Sequence, residues 1–369
     1  MKLSRIILFS IMLAAVAANC ALADLFFSDP GTLKRTWRYT DSGVMILESS
    51  DGRSNSDMVL TPDEDMLFVC KQGTDKMMRN YDPVTFVTYD DRFMAGTHCV
   101  GAAWGHDYDG DGDIDMFIAS RTEVRVVDVN IPEGYDGTTY TVLATWGPIT
   151  DDPCTTQTES IGQRVVVGPD MNGDGIGDIF MAVGGNNALG AMMVLDANSP
   201  DGAPNILGSY AMPSFRAGRA DFFGPDRNGD GVDDLWVTSQ YNDKVFAVDA
   251  NGTFIGDVTG GSFSPDNPNH MTQGPDGLIY IGTRFDNPSI GATVTGGDVV
   301  EYDPDTNTAS IFAEVAGANL SGAMVYTTDR ICVPPEYDIT GDCAVDAEDL
   351  AVLVSQWLDC TDPNTANCP

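Results

Sequence analysis

Aspartates recur at fixed intervals in three short segments of this 369-residue chain. They are Asp107-Tyr108-Asp109-Gly110-Asp111-Gly112-Asp113-Ile114-Asp115, Asp170-Met171-Asn172-Gly173-Asp174-Gly175-Ile176-Gly177-Asp178 and Asp226-Arg227-Asn228-Gly229-Asp230-Gly231-Val232-Asp233-Asp234. In each, oxygen-bearing side chains stand at positions 1, 3, 5 and 9, with glycine at 4 and 6. A backbone that curls at the glycines turns alternate side chains toward one point. That is the chemistry of calcium, a hard ion taking roughly six to eight oxygens at ~2.3–2.6 Å. Position 7 (Asp113, Ile176, Val232) is free to vary because only its backbone carbonyl is needed. Four side-chain carboxylates plus Asp113 in the first loop, against three in each of the others, make the first the tightest expected site. The bland alternative, solvated Asp-Gly turns without metal, does not account for three copies of one template.

A fourth acidic loop lies in the tail. Asp338, Thr340, Asp342, Ala344 (by its carbonyl), Asp346 and Asp349 have EF-hand-like spacing. Leu350, Leu353, Val354, Trp357 and Leu358 follow on one helical stripe. The acids of residues 346–349 suit the start of that helix. After the first three loops a strand is expected instead: Met116-Phe117-Ile118-Ala119, Ile179-Phe180-Met181-Ala182-Val183 and Leu235-Trp236-Val237. Other chemistry is sparse. No Ser/His/Asp set can be recognised, and three histidines (His98, His106, His270) without a C-x-x-C pair argue against structural zinc.

The elements that hold these loops repeat. Central strands recur at Met66–Val69, Met116–Ala119, Ile179–Val183, Leu235–Val237, Leu278–Ile281 and Met324–Tyr326, and further strands such as Lys244–Asp249 end in an Asp. Helical periodicity is missing before the tail, which excludes a parallel βαβ sheet. Short strands with Gly-, Asp- and Pro-rich turns at this period predict an all-β fold, a six-bladed β-propeller with seven blades as the alternative. Leu25–Ser28, Thr36–Tyr39 and Val44–Leu47 read as a blade lacking its first strand, which the segment near Gly322–Val333 could supply. Pro275-Asp276-Gly277 is a β-turn formula, with His270 just upstream. Pro334-Pro335 then begins a linker. The expected domains are a signal peptide (1–23), the propeller (24–333), a linker (334–337) and a small EF-hand-like loop-helix module (338–369).

The three loops resemble the FG-GAP repeats of integrin α-subunit propellers and of many bacterial secreted proteins, over residues 100–239. The resemblance implies structural calcium that braces loops between blade strands. The segment from Asn269 to Tyr280 is similar to turns of NHL-like and gluconolactonase-like propellers, which can place residues at the central channel. The tail resembles one half of a type I dockerin, as in planctomycete-like secreted proteins, and implies attachment to a protein partner or the cell surface. Thr340, Cys343 and the single repeat depart from the cohesin-binding pattern.

Composition bounds the rest. The basic start, the apolar run 6–18 and Ala21-Leu22-Ala23 predict a signal peptide and a secreted protein, with Cys20 lipidation as the alternative. No later stretch is long and apolar enough for a transmembrane segment. Fifty-five Asp+Glu against 19 Lys+Arg leave a net charge of −36, which repels nucleic acid. Cys332, Cys343, Cys360 and Cys368 predict a stapled tail of open connectivity, while Cys70, Cys99 and Cys154 stand apart. The function expected is a calcium-binding scaffold or binding protein, with polysaccharide among its candidate ligands. The alternative is a carbohydrate-active lyase or hydrolase that uses the propeller channel.

Overall fold

The computed structural model describes residues 23–327, except 32, 51–54, 63, 65, 72–76, 94–98, 121–122, 130–139, 148, 150–163, 184–189, 213–217, 260–262 and 321. The signal segment, the linker and the tail with Asp338, Thr340, Asp342, Ala344, Asp346 and Asp349 lie outside the described residues, as do His98 and Cys154.

Among the described residues, twenty-four strands form six four-stranded antiparallel sheets, the blades of a β-propeller. Blade 1 holds β1 (Asp24–Ser28), β2 (Arg35–Thr40), β3 (Met45–Ser50) and, from the far end, β24 (Met324–Tyr326). Blade 2 is β4 (Asn55–Leu60), β5 (Leu67–Lys71), β6 (Met77–Tyr81) and β7 (Thr88–Phe93). Blade 3 is β8 (Gly101–Trp104), β9 (Met116–Ala119), β10 (Val124–Asp128) and β11 (Thr141–Trp146). Blade 4 is β12 (Val165–Val167), β13 (Ile179–Val183), β14 (Gly190–Leu195) and β15 (Ile206–Met212). Blade 5 is β16 (Gly218–Gly224), β17 (Asp234–Ser239), β18 (Lys244–Val248) and β19 (Phe254–Asp257), and blade 6 is β20 (Pro268–Gln273), β21 (Ile279–Thr283), β22 (Asp298–Asp303) and β23 (Thr308–Glu314). The ring has six blades, not the alternative seven.

Why β9, β13 and β14 are continuous apolar runs follows from the stacking of blades. Both faces of each are covered, so successive side chains pack against opposite neighbours. Phe117 of β9 packs with Ile179, Met181 and Met193 of blade 4, whereas Met116 and Ile118 pack with Phe68 and Met78 of blade 2. Phe180 and Ala182 of β13 then meet Leu235 and Val237 of blade 5, and Trp236 meets Ile279 and Ile281 of blade 6. The core is thus a series of seams between blades.

The innermost strands run β24, β4, β8, β12, β16, β20 around the axis, each beside the next, and β20 returns to β24. Closure joins the two ends of the described chain. Leu25, Phe26 and Phe27 pair with Tyr326, Val325 and Met324, the Asp24 N–H donates to Thr327 Oγ1 at 2.7 Å, and the Thr327 N–H donates to Asp24 O at 3.0 Å. The expected missing strand is supplied as predicted. One expectation is corrected by the same finding: Met324–Tyr326 is an innermost strand, not a sixth central strand, and β1 takes the second place in its blade. Cys70 of β5 and Cys99, just before β8, form a disulfide that ties blade 2 to blade 3, a pairing their isolated positions did not suggest.

Candidate functional sites

Each aspartate segment is the connection from an innermost strand to the second strand of its blade: β8 to β9, β12 to β13 and β16 to β17. All three therefore open on one end of the propeller. They share one internal architecture. The position 1 carboxylate accepts from the N–H groups of positions 4 and 6, at 2.6 and 2.9 Å for Asp107, 2.6 and 2.7 Å for Asp170, and 2.6 and 2.7 Å for Asp226. The position 9 carboxylate reaches back to the N–H of position 2, from Asp115 to Tyr108 at 2.8 Å, Asp178 to Met171 at 2.6 Å and Asp234 to Arg227 at 2.6 Å. Position 5 holds the N–H of position 7: Asp111 that of Asp113 at 3.0 Å, Asp174 that of Ile176 at 2.9 Å, and Asp230 that of Val232 at 2.9 Å. Asn172 and Asn228 at position 3 hold the Asp174 and Asp230 N–H groups, each at 2.8 Å.

Both glycines of every loop are left-handed, with φ between 80° and 103°. A Cβ at any of the six would meet no atom within 4 Å, so glycine is there for backbone conformation and not for space. In the first loop the curl brings three carboxylates together. Asp107, Asp109 and Asp115 each bring one oxygen within 4.8 Å of the others. The position 9 carboxyls are the buried members, and burial raises all three above the ordinary carboxylate range, Asp115 to about 6. Neighbouring carboxylates raise them further. Such a donor set fits a hard divalent cation, whose charge would offset that crowding.

Asp128, Asp196 and Asp249, each closing the third strand of its blade, belong beside these loops. They add to the upward push on Asp115, Asp178 and Asp234 respectively, and Asp249 Oδ2 accepts from Asn228 Nδ2 at 3.1 Å. Their sequence signal was the recurrent strand-ending Asp, read only as a mark of the repeat.

A second cluster occupies the axis. Asp57 of β4, Asp221 and Arg219 of β16, His270 of β20 and Arg164 at the start of β12 are all buried. The Arg164 guanidinium lies 3.4 Å from Asp57 Oδ2, 3.1 Å from Asp221 Oδ1 and 3.2 Å from His270 Nδ1. His270 Nε2 stands 3.1 Å from Asp57 Oδ1. Arg219 donates to the Ser56 carbonyl. Backbone N–H groups complete the carboxylates: Met58 and Ala102 to Asp57, both at 2.9 Å, and Met271 to Asp221 at 3.1 Å. Two carboxylates and two guanidiniums balance, with the imidazole between them. Burial pushes Asp57 up, yet Arg164, His270 and Arg219 together hold it down at about 2. Burial lifts Asp221 to about 6, and burial with the nearby Arg164 lowers His270 to about 3, so the imidazole is neutral.

His270, expected near the channel, is placed there among charged partners. His106 stands elsewhere, beside the first loop, with its ring close to Tyr108 and Phe117. The β-turn at Pro275-Asp276-Gly277 forms as its formula implied, the Gly277 N–H donating to Gly274 O at 3.0 Å.

No family model matches this chain, and no curated protein matches it. Among solved structures it is similar to a functionally unknown protein from Desulfotomaculum acetoxidans DSM 771, at 13% identity and a TM-score of 0.46, over 82% of this chain and 84% of that one. Among the described residues, no helix is long and apolar enough to cross a membrane.

Proposed function

We propose that this protein is a secreted, calcium-braced β-propeller that acts as a binding or scaffold protein and is attached to a protein partner or the cell surface by its dockerin-like tail. The observation that carries this reading is the common architecture of the loops at Asp107–Asp115, Asp170–Asp178 and Asp226–Asp234. In three successive blades the position 1 carboxylate holds the same backbone N–H groups and the same glycines curl the backbone, and in the first loop Asp107, Asp109 and Asp115 bring their oxygens together. The likeness to FG-GAP repeats supports a structural role for the ion. Each loop joins the innermost strand of its blade to the second, so bound calcium would fix the strand spacing on which the blade seams depend.

The axial cluster weighs on the alternative, a carbohydrate-active lyase or hydrolase working in the channel. That reading needs acidic and histidine side chains turned toward a substrate or an axial metal. Asp57, Asp221 and His270 do meet at the axis, but the guanidiniums of Arg164 and Arg219 take up their charge. Their arrangement supports a structural lock between blades 2, 4, 5 and 6.

Thermal unfolding of the protein with calcium and with a chelator tests the bracing claim. A ligand at about 100 times its Kd stabilises by roughly 2.7 kcal/mol per site, so the unfolding temperature should rise by several degrees with calcium. An unfolding temperature indifferent to calcium would refute it.

A further inference from the structure

The aspartate loops of blades 3 and 4 lean on one turn. That turn, residues 196–205, joins β14 to β15 and is held by its own bonds: the Ser199 N–H donates to Asp196 O at 3.1 Å, Ser199 Oγ to the same carbonyl at 2.7 Å, and the Asn205 N–H to Ser199 Oγ at 2.9 Å. It also crosses the seam onto blade 3. The Gly202 N–H donates to Thr145 O and the Gly147 N–H to Gly202 O, both at 2.9 Å, while the Thr145 N–H donates to Asp201 Oδ1 at 2.9 Å.

Each loop meets this turn through its position 9 carboxylate. In the first, Asp115 Oδ2 holds the Tyr108 N–H at 2.8 Å, and the Tyr108 hydroxyl donates to the carbonyl of buried Ser199 at 2.7 Å. Trp146 Nε1 donates to the same carbonyl at 3.1 Å. In the second, Asp178 Oδ1 accepts from the Ala197 N–H at 3.4 Å, while its other oxygen holds the Met171 N–H. Tyr108 of the first loop and Ile176 of the second pack on one buried cluster that includes Trp146 and Ala197. The third loop is tied elsewhere. Arg227, its position 2 residue, donates to the Pro304 carbonyl of blade 6 at 3.0 Å, and the corresponding connection of that blade is the short turn at residues 274–278. Met171, at position 2 of the second loop, is 37% exposed.

We propose that Tyr108 and the 196–205 turn couple the first two calcium loops, so that an ion in either strengthens binding in the other, while the third loop binds independently. An ion drawn onto Asp115 fixes Tyr108, and Tyr108 fixes the turn from which Ala197 steadies Asp178. The turn is ordered once for both loops, so the second ion meets a loop already held. Linkage makes the effect reciprocal. Tyr108 is thus a positioning residue. The inference rests on the calcium-braced reading and gives it a regulation.

The test is calorimetric calcium titration of the full chain with loops silenced by Asp111→Ala, Asp174→Ala and Asp230→Ala, singly and in pairs, which gives the affinity of each loop alone and of each pair. The overall constant for filling the first and second loops together should exceed the product of their single-loop constants by about fivefold or more. For the first and third loops the two should agree within about twofold. Tyr108→Phe, which removes one hydroxyl, and Asp201→Ala, which frees the turn from β11, should each bring the factor toward one. Near-ultraviolet circular dichroism shows that the variants are folded. The proposal is overturned if the factor in the parent is one or below, as repulsion between the ions alone would give, if the first and third loops show the same factor, or if both variants keep it. Calcium bound independently by the loops defeats this inference alone, whereas a parent chain that takes up no calcium defeats the bracing claim and this inference with it.

Discussion

If the first loop holds calcium as proposed, Asp115 is the residue at which the metal and the proton would compete most directly. Burial lifts its carboxyl to about 6, and calcium requires the ionised form. Protons therefore win progressively below that value. The affinity of the first loop should fall about tenfold from pH 7 to pH 5, a change that calcium titration at the two pH values would read. Asp57 tests the axis. Replacing it by alanine strands Arg164 and Arg219 in a buried site and should cost about 3–5 kcal/mol in urea unfolding. The same cluster sets the response to acid. Asp57 is depressed to about 2, so its stabilisation is complete above the unfolded carboxylate range and is lost as pH falls toward 2. His270, held neutral to about 3 from an ordinary 6.5, loses stability over the same descent, because the unfolded chain takes up the proton first. Asp221 acts oppositely, favouring the folded state less as pH rises from about 4 to about 6. Asp57→Asn should flatten the acid limb of the stability profile, measured as urea midpoints from pH 3 to pH 7. The loop residues were legible in the sequence because all their spacing is local. The axial set was not: Asp57, Arg164, Asp221 and His270 come from four blades, and nothing in their neighbourhoods marks them as partners.

At the scale of the element, the loops depend on glycine for one reason. Gly175 has φ 90° and open space around its Cα, so Gly175→Ala carries only the conformational cost, about 1–2 kcal/mol. Gly175→Asn should cost less, since asparagine tolerates left-handed backbone. Paired unfolding curves and calcium titrations would show this order, and equal losses would point to sterics instead. The Cys70–Cys99 disulfide spans a separation of 29 residues across the seam of blades 2 and 3. Its removal by serine substitution should lower stability by about 2–4 kcal/mol, read from denaturant midpoints. Sequence showed the strands themselves well, since runs such as Ile179–Val183 are apolar on both faces when blades cover both. It misplaced Met324–Tyr326, whose short apolar run looks like a central strand and whose innermost position is decided only by pairing with β1.

The described residues form a ring of six blades, closed by hydrogen bonds between residues about 300 positions apart. That closure was foreseeable because the first blade visibly lacked a strand. Which small charged groups would fill the axis was not. Stability of such a ring depends on each blade keeping its shape, and blades 3, 4 and 5 are the three that carry an aspartate loop. The most direct test of calcium bracing is the count of calcium bound per chain, measured by native mass spectrometry on the parent protein and on Asp111→Ala, Asp174→Ala and Asp230→Ala. Each substitution should remove one calcium ion and lower the unfolding temperature. Three variants that bind as much calcium as the parent would contradict the account.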